Sequence, residues 1–144
     1  PLLGTFLLRG LNAFSRAALF MAVEKRERMT PVVRRGYLAP YGSWADRIAV
    51  DRFVHDIPMR PSHPTWPALV DVENGLAQFS HQPMLLVWGE KDWCFTTDFL
   101  AEFQRRFPRG ETLRIPEAGH YVFEDASDEV IRTVRDFLNR HPLR

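Results

Sequence analysis

An aspartate and a histidine, Asp92 and His120, stand just past two short apolar segments, in the strings WGEKD and EAGHY. Imidazole works as a base only when its tautomer and ring direction are set. A carboxylate that takes the Nδ1 proton sets both and stabilises the imidazolium formed during reaction. Singly, an aspartate or a histidine in a loop reads as a solvated or structural side chain. Together they become candidate catalytic residues if the elements before them bring both to the same edge of one sheet.

Those elements are legible. Met84-Leu85-Leu86-Val87-Trp88 is a continuous apolar run opened by Pro83 and closed by Gly89, as in a strand buried on both faces of a parallel sheet. Thr96-Thr97 can cap a helix carrying Phe99, Leu100, Phe103 and Phe107, and Pro108-Arg109-Gly110 stops it. Thr112-Leu113-Arg114-Ile115 reads as a second, shorter strand, after which Pro116-Glu117-Ala118-Gly119 turns the chain into His120. Strand, helix and strand over about thirty residues make one βαβ crossover, so both loops open on the same sheet edge. A last helix follows, with Ser127 as cap, Asp128 and Glu129 in the first turn, and Val130, Ile131, Val134, Phe137 and Leu138 on one face. The expectation is adjacent parallel strands at 84–88 and 112–115, with helices at 97–107 and 127–139 packed on them.

Before residue 80 the pattern is helical. The segment PLLGTFLLRGLNAFSRAALFMAVEKRERM carries Leu3, Leu7, Leu11 and Phe14 on one face, and reads as a mostly buried helix or helix pair. Arg9, Asn12 and Arg16 interrupt every window long enough to span a bilayer. Glu24-Lys25-Arg26-Glu27-Arg28 reads as a solvated helix end. Thr30-Pro31 opens a helix ending near Gly36 or Pro40, and Ser43 opens another ahead of Trp44, Ile48 and Phe53. The prolines from Pro58 to Pro64 force an extended connection. Helix returns from Trp66 to Phe79, with Leu69, Val72, Leu76 and Phe79 on one face. The composition shift divides the chain into residues 1–80, a helical region, and 81–144, a sheet-bearing region.

With 144 residues, 45% hydrophobic, 26% charged and a net charge of +1, the composition is that of one soluble globular domain without the charge excess of a nucleic-acid or membrane-surface binder. The single cysteine, Cys94, excludes an internal disulfide, and no cysteine-histidine cluster has metal-ligand spacing. A reducing cytoplasm is the expected compartment. Cys94 lies two residues from Asp92, but nothing beside it in sequence marks it as a nucleophile.

The order of acid then histidine late in a chain, in WGEKD after an apolar strand and then PEAGHYVFED, resembles the last two strands of α/β-hydrolases, whose nucleophile comes earlier. GYLAPYGSWADRIAVDRFVHDIPMRP resembles the helical cap of the haloalkane dehalogenase-like family, in which a Tyr-x-x-Pro-Tyr step is followed by a helix ending in Ile-Pro. Within that group, PLLGTFLLRGLNAFSRAAL is most similar to the β-lactone decarboxylases of bacterial long-chain olefin biosynthesis. The resemblance implies an α/β fold of which this chain is a C-terminal fragment, a helical cap followed by a terminal βαβα unit of the core. The fold's Gly-x-nucleophile-x-Gly elbow is not in this sequence, since no two of the eight glycines are four residues apart. The chain begins at Pro1 and has two convincing strands, so the nucleophile and oxyanion hole are expected upstream, in an N-terminal half that completes the protein.

The resemblance also implies a chemistry. An upstream aspartate attacks an electrophilic carbon to form an ester, and His120, oriented by Asp92, activates water or handles the proton of turnover. No metal or organic cofactor is needed. The cap supplies an apolar pocket for a small apolar substrate, with Tyr37, Trp44 and Phe53 as candidate walls; aromatic residues at such spacing equally form plain cap core. Tyr121 points into the site or behind it. The implied activity is decarboxylation of a long-chain cis-β-lactone to an alkene. Haloalkane, epoxide or ester hydrolysis, a non-catalytic homologue, and a helical interaction module with an incidental βαβ tail stay open.

Overall fold

A computed structural model describes residues 2–142. The chain forms two compact units, one made of residues 2–19 and 31–79, the other of residues 20–30 and 80–142.

The first unit is helical. It holds α1 (Leu2–Thr5), a π-helical turn over Phe6–Gly10, and most of α2 (Ala13–Met21). After these come α3 (Pro31–Leu38), α4 (Ile48–Asp56) and α5 (Trp66–Gly75), the last continuing as a 3₁₀ turn over Leu76–Phe79. Pro31 opens α3 as expected, because its missing N–H costs nothing in a first turn. Ser43 does not open α4. Its hydroxyl and backbone exchange hydrogen bonds with Asp46, a local box that closes a turn, and the regular helix begins five residues later at Ile48. The Arg47 guanidinium holds that turn by donating to the carbonyls of Arg9, Gly10, Tyr41 and Gly42. The N-terminal segment is also not the mostly buried helix its apolar content suggests. Leu3, Phe6, Leu7, Leu11 and Phe14 are exposed, as are Leu69, Val72 and Phe79 on and after α5. Their apolar faces follow the helical period, but within the unit nothing covers them. No helix among the described residues is long and apolar enough to cross a membrane.

The second unit carries the sheet. Strands β1 (Leu85–Gly89) and β2 (Glu111–Ile115) pair in parallel, Leu85 opposite Glu111 through Gly89 opposite Ile115. Helix α6 (Thr97–Arg106) joins them, and α7 (Val122–Asp125) and α8 (Ser127–Arg140) follow. Alternation along β1 sends neighbouring residues to opposite faces. Val87 packs with Leu113, Ile115, Ala118, Val122, Ala126, Val130 and Val134, the contact with α7 and α8, while Trp88 meets Phe103 of α6 at a ring separation of 6.1 Å. The sheet therefore has helices on both faces. With two strands it is too narrow to bury them fully: Leu86 and Gly89 are buried, whereas Leu85, Val87 and Trp88 are only partly covered. On α8 the same limit leaves Val130 fully buried but Ile131 and Leu138 half exposed. Ser127 lies inside the first turn of α8, Ala126 taking the cap position, because α7 runs almost directly into it.

Glu24 to Arg28 is not a helix end. It is a loop and 3₁₀ turn in the second unit, its side chains largely solvated as expected and its backbone tied down.

Candidate active site

The parallel register brings the carboxyl ends of β1 and β2 side by side. At this edge the loops interlock through backbone bonds from Glu90 N–H to Ile115 O and from Lys91 N–H to Ala118 O. Ion pairs of Arg114 with Glu90 and of Lys91 with Glu117 cross the same gap. The hydrogen bond from the Lys91 ammonium holds the Glu117 carboxyl below its usual range and raises the Lys91 ammonium. Both side chains are exposed, so this pair fixes geometry more than it stabilises.

Gly89 is where the approach is closest. A Cβ there would lie 2.3 Å from the Gly119 carbonyl oxygen and 2.6 Å from that of Ala118. Only a residue without a side chain lets β1 end directly beneath the loop that carries the histidine. Gly89→Ala is expected to push that loop away, destabilising the fold by about 1–3 kcal/mol as overpacking does. Denaturant unfolding measures this, and an unchanged midpoint would contradict so tight an approach.

Asp92 uses both carboxylate oxygens. Oδ1 accepts the backbone N–H groups of Cys94 and Phe95 at 2.8 and 2.9 Å, which closes its own loop, and Oδ2 lies 2.8 Å from His120 Nδ1. An ionised carboxylate can only accept, so Nδ1 carries the proton and Nε2 is the ring nitrogen available for chemistry. Trp88 Nε1 donates to Phe95 O at 2.9 Å and ties the loop back to the strand. Asp92 is nearly buried, its side chain 9% accessible, while His120 keeps 30%. A buried orienting acid and a reachable imidazole are what acid–base work requires. The pair borders a cavity of about 170 Å³ lined by Val87, Trp88, Phe95 and Val122 around them. The Phe95 and Tyr121 rings lie 5.4 and 5.9 Å from the His120 ring.

The site residues expected from sequence thus divide. Asp92 and His120 meet within the second unit; Tyr37, Trp44 and Phe53 all belong to the first. Tyr37 lines a cavity of about 390 Å³ with Val33, Gly36, Pro40 and Tyr41. Trp44 instead lies beneath the Arg9 guanidinium, 4.6 Å from its ring centre, and Phe53 stands exposed on α4. Cys94 contributes its backbone N–H to the Asp92 loop, and its thiol is exposed. Sequence reasoning missed Asp125, a fully buried carboxylate in α7, and missed the close approach at Gly89. The only signal for Asp125 was an acid at the end of a short apolar segment, which reads as solvated.

Residues 17–127 match the model of the alpha/beta hydrolase fold family. The chain belongs to that family. Among curated relatives, a cis-3-alkyl-4-alkyloxetan-2-one decarboxylase of Shewanella oneidensis is 41% identical over 137 residues, 95% of this chain and 43% of the relative. The enzyme of the same name from Xanthomonas campestris is 40% identical over 141 residues, 98% of this chain and 46% of the relative. The dihydrolipoyllysine-residue acetyltransferase component of the acetoin cleaving system of Pseudomonas putida is 39% identical over 59 residues, 41% of this chain and 15% of its own. The chain spans a little under half the length of the two decarboxylases. It carries two parallel strands joined through a helix, with an acid and a histidine just past the strand ends.

Proposed function

We propose that this chain is the cap and the acid–histidine portion of an α/β-hydrolase-fold enzyme that converts a long-chain cis-β-lactone to an alkene and carbon dioxide. The observation that carries the reading is the 2.8 Å Asp92–His120 pair. It lies in a chain about 40% identical, along nearly its whole length, to two enzymes named as cis-3-alkyl-4-alkyloxetan-2-one decarboxylases. In this reading the nucleophile and oxyanion hole lie in an N-terminal half, residues 1–80 serve mainly as cap, and residues 81–144 belong to the core. Tyr37, Trp44 and Phe53 offer apolar surface for alkyl chains, and the enzyme works in a reducing cytoplasm without a metal or organic cofactor.

The chemistry balances without a co-reactant. A nucleophilic carboxylate attacks the ring carbon bearing oxygen, the C–O bond breaks, and an ester and a carboxylate result. The carboxylate then leaves as carbon dioxide, its C–C bonding electrons form the alkene, and the ester oxygen departs to restore the nucleophile. His120 as the imidazolium stabilises, through Nε2–H, the carboxylate charge that develops on the opening ring, while Asp92 stabilises that imidazolium from Nδ1. A haloalkane would form a related ester but would require water, activated by His120, to release it. The cap and the groups that meet the leaving group, rather than the acid–histidine pair, therefore separate the two substrates.

The test is to offer a full-length protein carrying this chain a long-chain cis-β-lactone and a long-chain haloalkane side by side, following alkene and halide. Alkene from the lactone is the expected result. Halide release with no alkene would overturn the lactone assignment and leave a dehalogenase. The 144-residue chain alone is expected to turn over neither substrate, and activity from it would show that the nucleophile lies within it.

A further inference from the structure

Asp125 is fully buried and lies five residues after His120, yet the proposed chemistry does not use it. Its Oδ1 accepts the backbone N–H groups of Lys25 at 2.8 Å and Glu24 at 3.1 Å, and its Oδ2 accepts that of Gly119 at 2.8 Å, with a second, longer approach from Glu24 at 3.2 Å. Both oxygens of this buried carboxylate are thus satisfied by backbone N–H groups from two separate segments. Gly119 immediately precedes the histidine. On the other side of His120, the Tyr121 N–H donates to Ala22 O at 2.8 Å. The backbone flanking His120 is thus held on one side by Asp125 and on the other by the 22–25 segment, which Asp125 itself fastens.

The geometry points to Asp125 as a positioning residue: it holds the Gly119 N–H and the 22–25 segment so that His120 meets Asp92. This inference rests on the proposed role of His120 and names a further residue on which that role depends. Asn cannot replace it. An amide of the same size keeps one acceptor oxygen and turns an NH₂ group against either Gly119 N–H or the N–H groups of Glu24 and Lys25.

The test uses the full-length protein. Asp125→Asn is expected to lower kcat about 100-fold, as a misplacement of about 1 Å does, with KM within about twofold. The downfield proton resonance of the Nδ1–H bonded to Asp92 should shift or broaden in the folded variant, which loss of stability alone would not produce. A folded Asp125→Asn protein with unchanged kcat and an unchanged resonance overturns the inference. Should that variant fail to fold, Lys25→Pro removes one donor and leaves the carboxylate and Gly119 in place. A 3- to 10-fold fall in kcat is then expected, and wild-type kcat would overturn the inference. His120→Ala run in parallel separates the two ideas: wild-type rates there sink the functional reading itself. Loss of activity in His120→Ala with full activity in Asp125→Asn sinks only the positioning role.

Discussion

Removing the imidazole by His120→Ala in the full-length protein is expected to lower turnover by about 10³–10⁴-fold, the upper part of what one positioned acid–base group supplies. His120 is held by a backbone bonded on both sides, by Asp92 at 2.8 Å, and beside the Phe95 ring. Alanine leaves Asp92 without the partner its second oxygen serves, but the Asp92 loop keeps its own bonds to Cys94 and Phe95. The fold should therefore survive, and the loss should appear in kcat rather than in the melting temperature. Offered a haloalkane, whose ester needs water activated by His120 for release, the variant should accumulate a covalent adduct visible as a mass increase of the intact protein. Wild-type rates in a folded His120→Ala protein would end the assignment of the pair as catalytic.

Asp92→Asn is expected to cost about 10³–10⁴-fold in kcat while nearly preserving shape, through the tautomer rather than through packing. The amide has one acceptor where the carboxylate has two. If its oxygen stays on the Cys94 and Phe95 N–H groups, the NH₂ faces His120 Nδ1, forces that nitrogen to accept, and moves the ring proton to Nε2. If the amide flips, the histidine bond survives but the loop loses two hydrogen bonds around a largely buried group. The first arrangement gives a folded, slow enzyme, and the second a less stable one. Measuring kcat alongside the unfolding midpoint tells them apart. Full activity with an unchanged midpoint would mean that the bond between Asp92 and His120 has no part in turnover.

Legibility in the sequence followed the range of the interactions. The strand at 85–89, the helix at 97–106, the strand at 111–115 and the final helix all came from local period and punctuation, within a residue or two of their ends. Chain order and the crossover rule were then enough to place Asp92 and His120 at one edge, because two parallel strands joined through a helix leave little choice. The resemblance to α/β-hydrolases was read chiefly from this stretch, and the family model matches residues 17–127.

What failed was whatever depended on a distant partner. Ser43 looked like a helix start, yet the Arg47 guanidinium, gathering carbonyls from Arg9 and Gly10, sets that turn and delays the helix to Ile48. Apolar periodicity identified the faces of the N-terminal helices and α5, but periodicity says only that a face is apolar, not that this chain covers it. The run from Glu24 to Arg28 read as a solvated helix end because its charges dominate the local pattern. Its place in the unit that holds the histidine comes from hydrogen bonds to Asp125 across 100 and 101 residues of chain. Sequence alone determined the strand, helix, strand and final helix after residue 80 and which two side chains they deliver to the sheet edge, since period and connectivity are local properties. The tertiary structure decided that Gly89 must lack a side chain and that Asp125 is an anchor rather than a solvated acid, because burial and backbone donors are supplied by chain far away in sequence.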